Sequence, residues 1–181
     1  MFKQHSELAE IGTKEQYSEY LNSIFPESKV QDIVYHGGTL IENDRGKDSF
    51  TGELGGKHGL YFTGSKSRAK SYIRSGSKEY QGKANVHAVV LNIKNPLDKK
   101  IWSKWKFGID RISDKELSIM NEHNADGMIE KDFLSRFTQY NTQYVVFSMN
   151  QIQMLGTQED SQKFKEFIKN REGIPDPHAL E

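Results

Sequence analysis

The order of short elements along the chain constrains its fold more than any composition value does. Residues 14–25 (KEQYSEYLNSIF) set Tyr17, Tyr20, Leu21 and Ile24 at helical spacing, and Pro26 ends that helix. Residues 31–35 (QDIVY) read as a short apolar strand running into His-Gly-Gly. Leu60–Thr63 reads as a second strand, after which Ser65 caps a helix that stops near Gly76. Residues 85–93 (NVHAVVLNI) alternate and are β-branched, so they predict a strand broken by Asn95-Pro96. A helix over 113–124, a turn at 125–127 and a short strand at Met128-Ile129 follow. Strands over 142–148 and 150–155 come next, then a charged amphipathic helix from about 158 with Phe164, Phe167 and Ile168 as its apolar side. Pro175 and Pro177 close that helix. Long β-α-β alternation is missing. The fold class this predicts is α+β, with mainly antiparallel sheets and flanking helices.

Length and charge narrow the function. The 181 residues make one domain, 1–156, with a helical tail over 157–181. There is no cysteine, which removes disulfides, thiolate nucleophiles and thiolate zinc sites and suits a reducing cytosol. Lys plus Arg and Asp plus Glu are both 25, so no global field draws the chain to nucleic acid or anionic lipid. No apolar run is long enough for a signal peptide or a membrane span, which predicts a soluble cytoplasmic protein. The glycine-rich residues 40–58 read as a polar loop. No G-x-G-x-x-G follows a strand, so a doubly wound dinucleotide site is not available.

Three segments carry candidate chemistry. Val34-Tyr35-His36-Gly37-Gly38-Thr39 offers an imidazole at a strand end beside bare backbone, where Gly37 can hydrogen-bond a flat amide. Taken alone, His36 is more often a turn residue. Gly59-Leu60-Tyr61-Phe62-Thr63 is followed eleven residues after Tyr61 by Tyr72, on the next helix. Two such rings can sandwich a flat heteroaromatic cation, although each alone is more often a core aromatic. Thr142-Gln143-Tyr144-Val145-Val146-Phe147 is a buried strand with Gln143 near its start. His58, His87 and His123 lack metal-ligand spacing and read as surface or turn residues; His5 and His178 lie near the termini. Ser65 has no G-x-S-x-G around it, which leaves it a helix cap rather than a nucleophile.

Taken in order over residues 30–156, these motifs resemble the histidine-tyrosine-glutamate branch of the ADP-ribosyltransferases, which includes poly(ADP-ribose) polymerases and diphtheria-type toxins. The chain is most similar to small phage- and mobile-element-associated members. The resemblance implies split antiparallel β-sheets with NAD bound between them. His36 resembles the histidine that contacts the adenosine ribose. Gly37 resembles the glycine whose backbone holds the nicotinamide carboxamide. Tyr61, in G-L-Y-F-T, and Tyr72 resemble the two rings that clamp nicotinamide. Asn95-Pro96-Leu97 and Asp126-Gly127 resemble family punctuation without a catalytic role.

One position departs from the family. The residue resembling its catalytic glutamate, just before Tyr-Val-Val-Phe, is Gln143. Its amide can hydrogen-bond a ribose hydroxyl but supplies no negative charge to an oxocarbenium-like transition state. Three readings stay open: a working glutamine variant, a domain that binds NAD without chemistry, and an inactivating glutamate-to-glutamine substitution. Glu130, Asp126 and Glu53 are further carboxylates that the sequence alone does not place.

The resemblance therefore implies an NAD-dependent mono-ADP-ribosyltransferase with His36, Tyr61 and Gln143 as catalytic residues. NAD is the donor substrate, held by His36, Gly37, Tyr61 and Tyr72, and no metal is needed, since the leaving group departs as neutral nicotinamide. The acceptor is a macromolecule, protein or RNA/DNA. A phage or toxin-type effector of this kind implies a cognate antitoxin or immunity protein in a host cytosol. The alternative is a catalytically silent NAD/ADP-ribose-binding module. Lys99, Lys100, Trp102, Lys104, Trp105 and Lys106 interleave cations with rings, a mixture that grips single-stranded nucleic acid or else forms a basic edge whose tryptophans pack inward. The mixed charges of the last helix, Asp160 included, read as a solvated face.

Overall fold

The computed structural model describes residues 6–38, 59–74, 84–105, 112–133 and 141–172. The expectations for residues 40–58, with Glu53 and His58, and for His5, His178, Gly76, Lys106 and the proline-bounded end lie outside these.

A short helix, α1 (Ser6–Ile11), precedes α2 (Lys14–Ile24). Thr13 starts α2 with a reciprocal cap: its hydroxyl accepts from the Gln16 amide at 3.2 Å, and the Gln16 side chain accepts from the Thr13 N–H at 2.7 Å. The first strand is β1 (Val34–Gly38), followed by β2 (Leu60–Thr63) and α3 (Lys66–Arg74). Then come β3 (Asn85–Leu91), a single turn α4 (Lys99–Trp102), α5 (Asp114–Glu122), β4 (Gly127–Phe133) and β5 (Asn141–Val146). A 3₁₀ turn (Met149–Gln151) leads into β6 (Ile152–Met154), and α6 (Gln158–Glu172) closes the described chain.

The α+β class holds. Six strands form one antiparallel sheet in the order β4-β5-β2-β1-β3-β6. The sheet is nearly two. Strands β1 and β2 share a single registered pair, Tyr35 with Thr63, whereas β1 and β3 are paired over all five residues of β1. A seam therefore divides β4-β5-β2 from β1-β3-β6. Inside the curl, both halves contribute to one apolar cluster: Leu60, Phe62, Tyr144 and Val146 from one, Val34, Val89 and Leu91 from the other. Burying this shared face is what holds the weakly bonded halves together.

Two further clusters flank the sheet. Leu97, Trp102, Ile112, Met120, Met128 and Val145 pack α4 and α5 onto the outer face of β4 and β5. Leu8, Tyr17, Tyr20, Phe164 and Ile168 join α1, α2 and α6. Phe164 and Ile168 are the apolar side read from the sequence, but Asp160 is not on a solvated face. It is fully buried, and its carboxylate accepts from the Tyr17 hydroxyl at 2.7 Å, the Tyr20 hydroxyl at 3.1 Å and the Gly156 N–H at 2.8 Å. Three donors offset the desolvation of one buried charge.

Sequence and structure differ in three more places. The His-Gly-Gly run lies within β1 rather than after it, because β3 offers pairing partners as far as Gly38. The strand expected at 150–155 is shortened by the 3₁₀ turn, where Gln151 caps the Phe147 and Ser148 N–H groups. The tryptophans turn inward: Trp102 is buried in the core and Trp105 packs against the same cluster. Trp102 has no face to offer a base, so the nucleic-acid grip through paired tryptophans does not stand.

Candidate active site at the seam between the two half-sheets

Ser28 fixes where β1 begins. Its hydroxyl donates to the Leu91 carbonyl at 2.6 Å and accepts from the Val30 and Ile93 N–H groups, both at 3.1 Å. The segment entering β1 is thus tied to the end of β3, and β1 continues along β3 rather than β2.

Backbone alternation then decides what faces the seam. The Ala88 carbonyl of β3 accepts from Leu155, on the side away from β1, so its neighbour His87 turns its backbone groups toward β1. His36, opposite His87, bonds back to β3, and the backbone groups of Tyr35 and Gly37 point at β2. Tyr35 meets Thr63 there. Beyond that pair the strands part, and the Gly37 N–H and C=O face the opening with no registered partner on β2.

Gly37 is glycine for a second reason. A Cβ at this position would lie 1.8 Å from the Ala69 carbonyl oxygen and 2.6 Å from its carbon. Helix α3 therefore sits directly on β1, backbone against backbone. Tyr72 is three residues after Ala69, near the packed face of α3. Its ring is exposed, its hydroxyl accepts from Arg68 Nε at 3.2 Å, and the Arg68 guanidinium lies 5.1 Å from the ring centroid.

On the far side of the seam, β2 pairs with β5 and β5 with β4. Two side-chain rows result on the same outer face: Tyr61, Val145 and Met128, then Thr63, Gln143 and Glu130. Tyr61 is half-buried against the α4–α5 cluster. Gln143 Oε1 is buried with no hydrogen-bond partner among the described residues, which is uncommon for a buried polar atom outside a functional site.

His36 enters from the opposite face. Its Nδ1 lies 2.9 Å from the Tyr61 carbonyl, so Nδ1–H donates and the ring bridges the parted strands. Burial pushes its pKa below the ordinary imidazole value, the Tyr61 carbonyl opposes this, and His87 adds to it. A neutral ring with Nδ1 protonated leaves Nε2 as an acceptor. His87 is not a surface or turn residue. It stands opposite His36 with ring centroids 6.4 Å apart, and its Nε2 lies 3.1 Å from the Gly38 carbonyl. Alternation over 85–91 marks the strand that carries His87, but not the register that sets it opposite His36.

Asn95-Pro96 and Asp126-Gly127 form a clasp. Asp126 accepts from the Lys94 and Asn95 N–H groups at 2.8 and 2.9 Å, and Pro96 bridges Gly127. A separate cavity of about 530 Å³, lined in part by Asn22, Asp32, Tyr35, Gly64 and Thr142, opens beyond the Tyr35–Thr63 pair, at the other end of the seam from Gly37 and Tyr61.

The antiparallel α+β fold thus places a polar cluster, His36, the Gly37 backbone and Gln143, about the parting of its central pair. The sequence model of one family, ADP-ribosyltransferase in polyvalent proteins, matches residues 31–162. That span runs from the entry to β1 into α6 and includes every residue of the seam. The chain belongs to this family of ADP-ribosyltransferases. No curated protein and no solved structure matches it.

Proposed function

We propose that the seam is the NAD site of a mono-ADP-ribosyltransferase of the histidine-tyrosine-glutamate type, and that the acceptor is a macromolecule. The observation that carries this reading is the parting of β1 and β2 just where Gly37 aims its backbone groups at Tyr61. A carboxamide can both donate to and accept from such a backbone pair. On this reading Tyr61 and, from α3, Tyr72 stack on the nicotinamide ring as a cation. Nε2 of His36 accepts from one ribose hydroxyl, and the Gln143 amide binds the other ribose.

The reaction on this reading is dissociative. The bond between nicotinamide N1 and ribose C1′ breaks, and its electron pair leaves with nicotinamide, which becomes neutral. The positive charge passes to the ribose as an oxocarbenium ion, which an acceptor oxygen or nitrogen then attacks. The reading extends to a phage or toxin-type effector acting in a host cytosol, with an antitoxin or immunity protein as its counterpart. Among the described residues no helix is long and apolar enough to cross a membrane.

A second reading is favoured by one residue. Gln143 replaces a charge with an amide, which suits a module that binds NAD or ADP-ribose without turnover. Incubating the protein with adenine-labelled NAD and a cell extract separates the two. Label that moves onto protein or nucleic acid supports the enzyme and names the acceptor class. Thermal stabilisation by NAD with no transfer supports the binding module.

A further inference from the structure

Gly37 serves a carboxamide only while its N–H and C=O both face the parting, yet neither group bonds to β3. We infer that His87 positions the Gly37 backbone for the nicotinamide carboxamide. This rests on the NAD reading of the seam, with or without turnover. His87 acts through the backbone of β1, so it is a positioning residue and touches no ligand.

The need for it starts in the sequence. Two successive glycines end β1, and glycine has the backbone that turns most freely. Beyond Tyr35 the strand has no registered partner on β2, so its pairing is with β3. Because Gly37 turns its own groups to the parting, its setting depends on its two neighbours, His36 and Gly38. His87 holds both. It is the registered partner of His36, and the two form the hydrogen-bonded kind of antiparallel pair, since Ala88 next to it bonds Leu155 on the other side. Its side chain then reaches diagonally to Gly38, where Nε2 lies 3.1 Å from the carbonyl oxygen.

A carbonyl only accepts, so Nε2–H donates and Nδ1 carries no proton. Burial favours this neutral ring, pushing the His87 pKa below the ordinary imidazole value. Gly38 stands two residues beyond His36, on the face that the two rings share, and as a glycine it puts no side chain in the path of the His87 ring. It is also the last residue of β1, and strand ends open most readily, so a second bond to its carbonyl acts where it is needed. The two imidazoles have complementary roles. His36 ties β1 to the Tyr61 carbonyl across the parting at 2.9 Å, and His87 ties the end of β1 to β3. Gly37 lies between these two ties.

The tie matters to one part of the donor. NAD carries the carboxamide, and ADP-ribose is the same molecule without nicotinamide. Losing the tie therefore weakens NAD binding and spares ADP-ribose. A loss that acted through the ring contact with His36 would weaken both, since both carry the ribose assigned to His36.

The test is calorimetric titration of the full chain with NAD and with ADP-ribose, in wild type, His87→Leu and His87→Gln. Leucine has no donor, whereas the glutamine amide can replace Nε2–H. One hydrogen bond is worth up to about tenfold in affinity. The inference predicts that His87→Leu weakens NAD by about fivefold to tenfold and ADP-ribose by less than about twofold, with His87→Gln within about threefold of wild type for NAD. Equal losses for the two ligands, an undiminished NAD affinity in His87→Leu, or a His87→Gln loss as large as that of His87→Leu overturns the inference and leaves the NAD reading standing. A wild type that binds ADP-ribose as tightly as NAD overturns it too, because the carboxamide then contributes nothing. A wild type that binds neither ligand overturns the NAD reading along with it. Should ADP-ribose bind too weakly to titrate, amide hydrogen exchange at Gly38 decides: faster exchange in His87→Leu than in His87→Gln is expected, and equal exchange overturns the inference. Should His87→Leu melt below the assay temperature, His87→Phe takes its place with the same expectations.

Discussion

Replacing Gly37 with alanine tests the packing that builds the seam. The added Cβ would fall 1.8 Å from the Ala69 carbonyl oxygen. Ordinary contact between such atoms is about 3.5 Å, so α3 or β1 must retreat by roughly 1.7 Å. Neither can do so cheaply. The obstructing atom is backbone, not the end of a flexible side chain, and β1 is fixed along its length by β3. Overpacking a close-packed interior typically destabilises by about 1–3 kcal/mol, and a backbone obstruction places this variant at about 3 kcal/mol. For a chain of this size that corresponds to a fall in melting temperature of about 6–12 °C. Gly64→Ala is the control, since nothing lies within 4 Å of its added Cβ. Its expected effect is within about 0.5 kcal/mol. Thermal melting by circular dichroism reads both. Equal melting temperatures for Gly37→Ala and wild type would refute the direct seating of α3 on β1, and with it the position assigned to Tyr72.

Asp160→Ala strands two tyrosine hydroxyls and the Gly156 N–H, and should destabilise by about 3–5 kcal/mol; chemical denaturation checks it, and a loss under 1 kcal/mol would mean that those donors find water. Phe164→Ala empties the centre of the same helical cluster and should remove about 3–5 kcal/mol on the same assay. His36 and His87 both have pKa values lowered below the ordinary 6.5, so the unfolded chain binds more protons than the folded one below that pH. Their contribution is complete above pH 6.5 and declines as pH falls through the lowered values. Melting temperature should therefore be level between about pH 8 and 7 and drop on acidification below 6.5, and His87→Gln should reduce that slope.

Much of this arrangement is legible in the residues. Helix α2 follows from Thr13, Gln16 and the spacing of Tyr17, Tyr20 and Leu21, which are local signals. The strand at 85–91 follows from alternation and β-branching. The antiparallel class follows from the absence of long crossovers, and the family motifs mark His36, Gly37, Tyr61 and Gln143 as neighbours. What the sequence withholds is register. That Glu130 stands opposite Gln143, and His87 opposite His36, depends on pairing between segments far apart in the chain. Asp160 illustrates the same limit. Among lysines and glutamates it reads as solvated, and only the arrival of Tyr17 and Tyr20 from α2 makes its burial tolerable. Trp102 is ambiguous for a related reason, since cations beside a ring describe a binding face and the rim of a core equally well.

The central claim is that this seam cleaves NAD and passes on the ADP-ribose. The most direct measurement counts nicotinamide released and ADP-ribose incorporated into a cell extract by the purified protein, in the same tube. The account predicts release that rises with extract and matches incorporation mole for mole. NAD that stabilises the fold yet stays intact through many hours would contradict it.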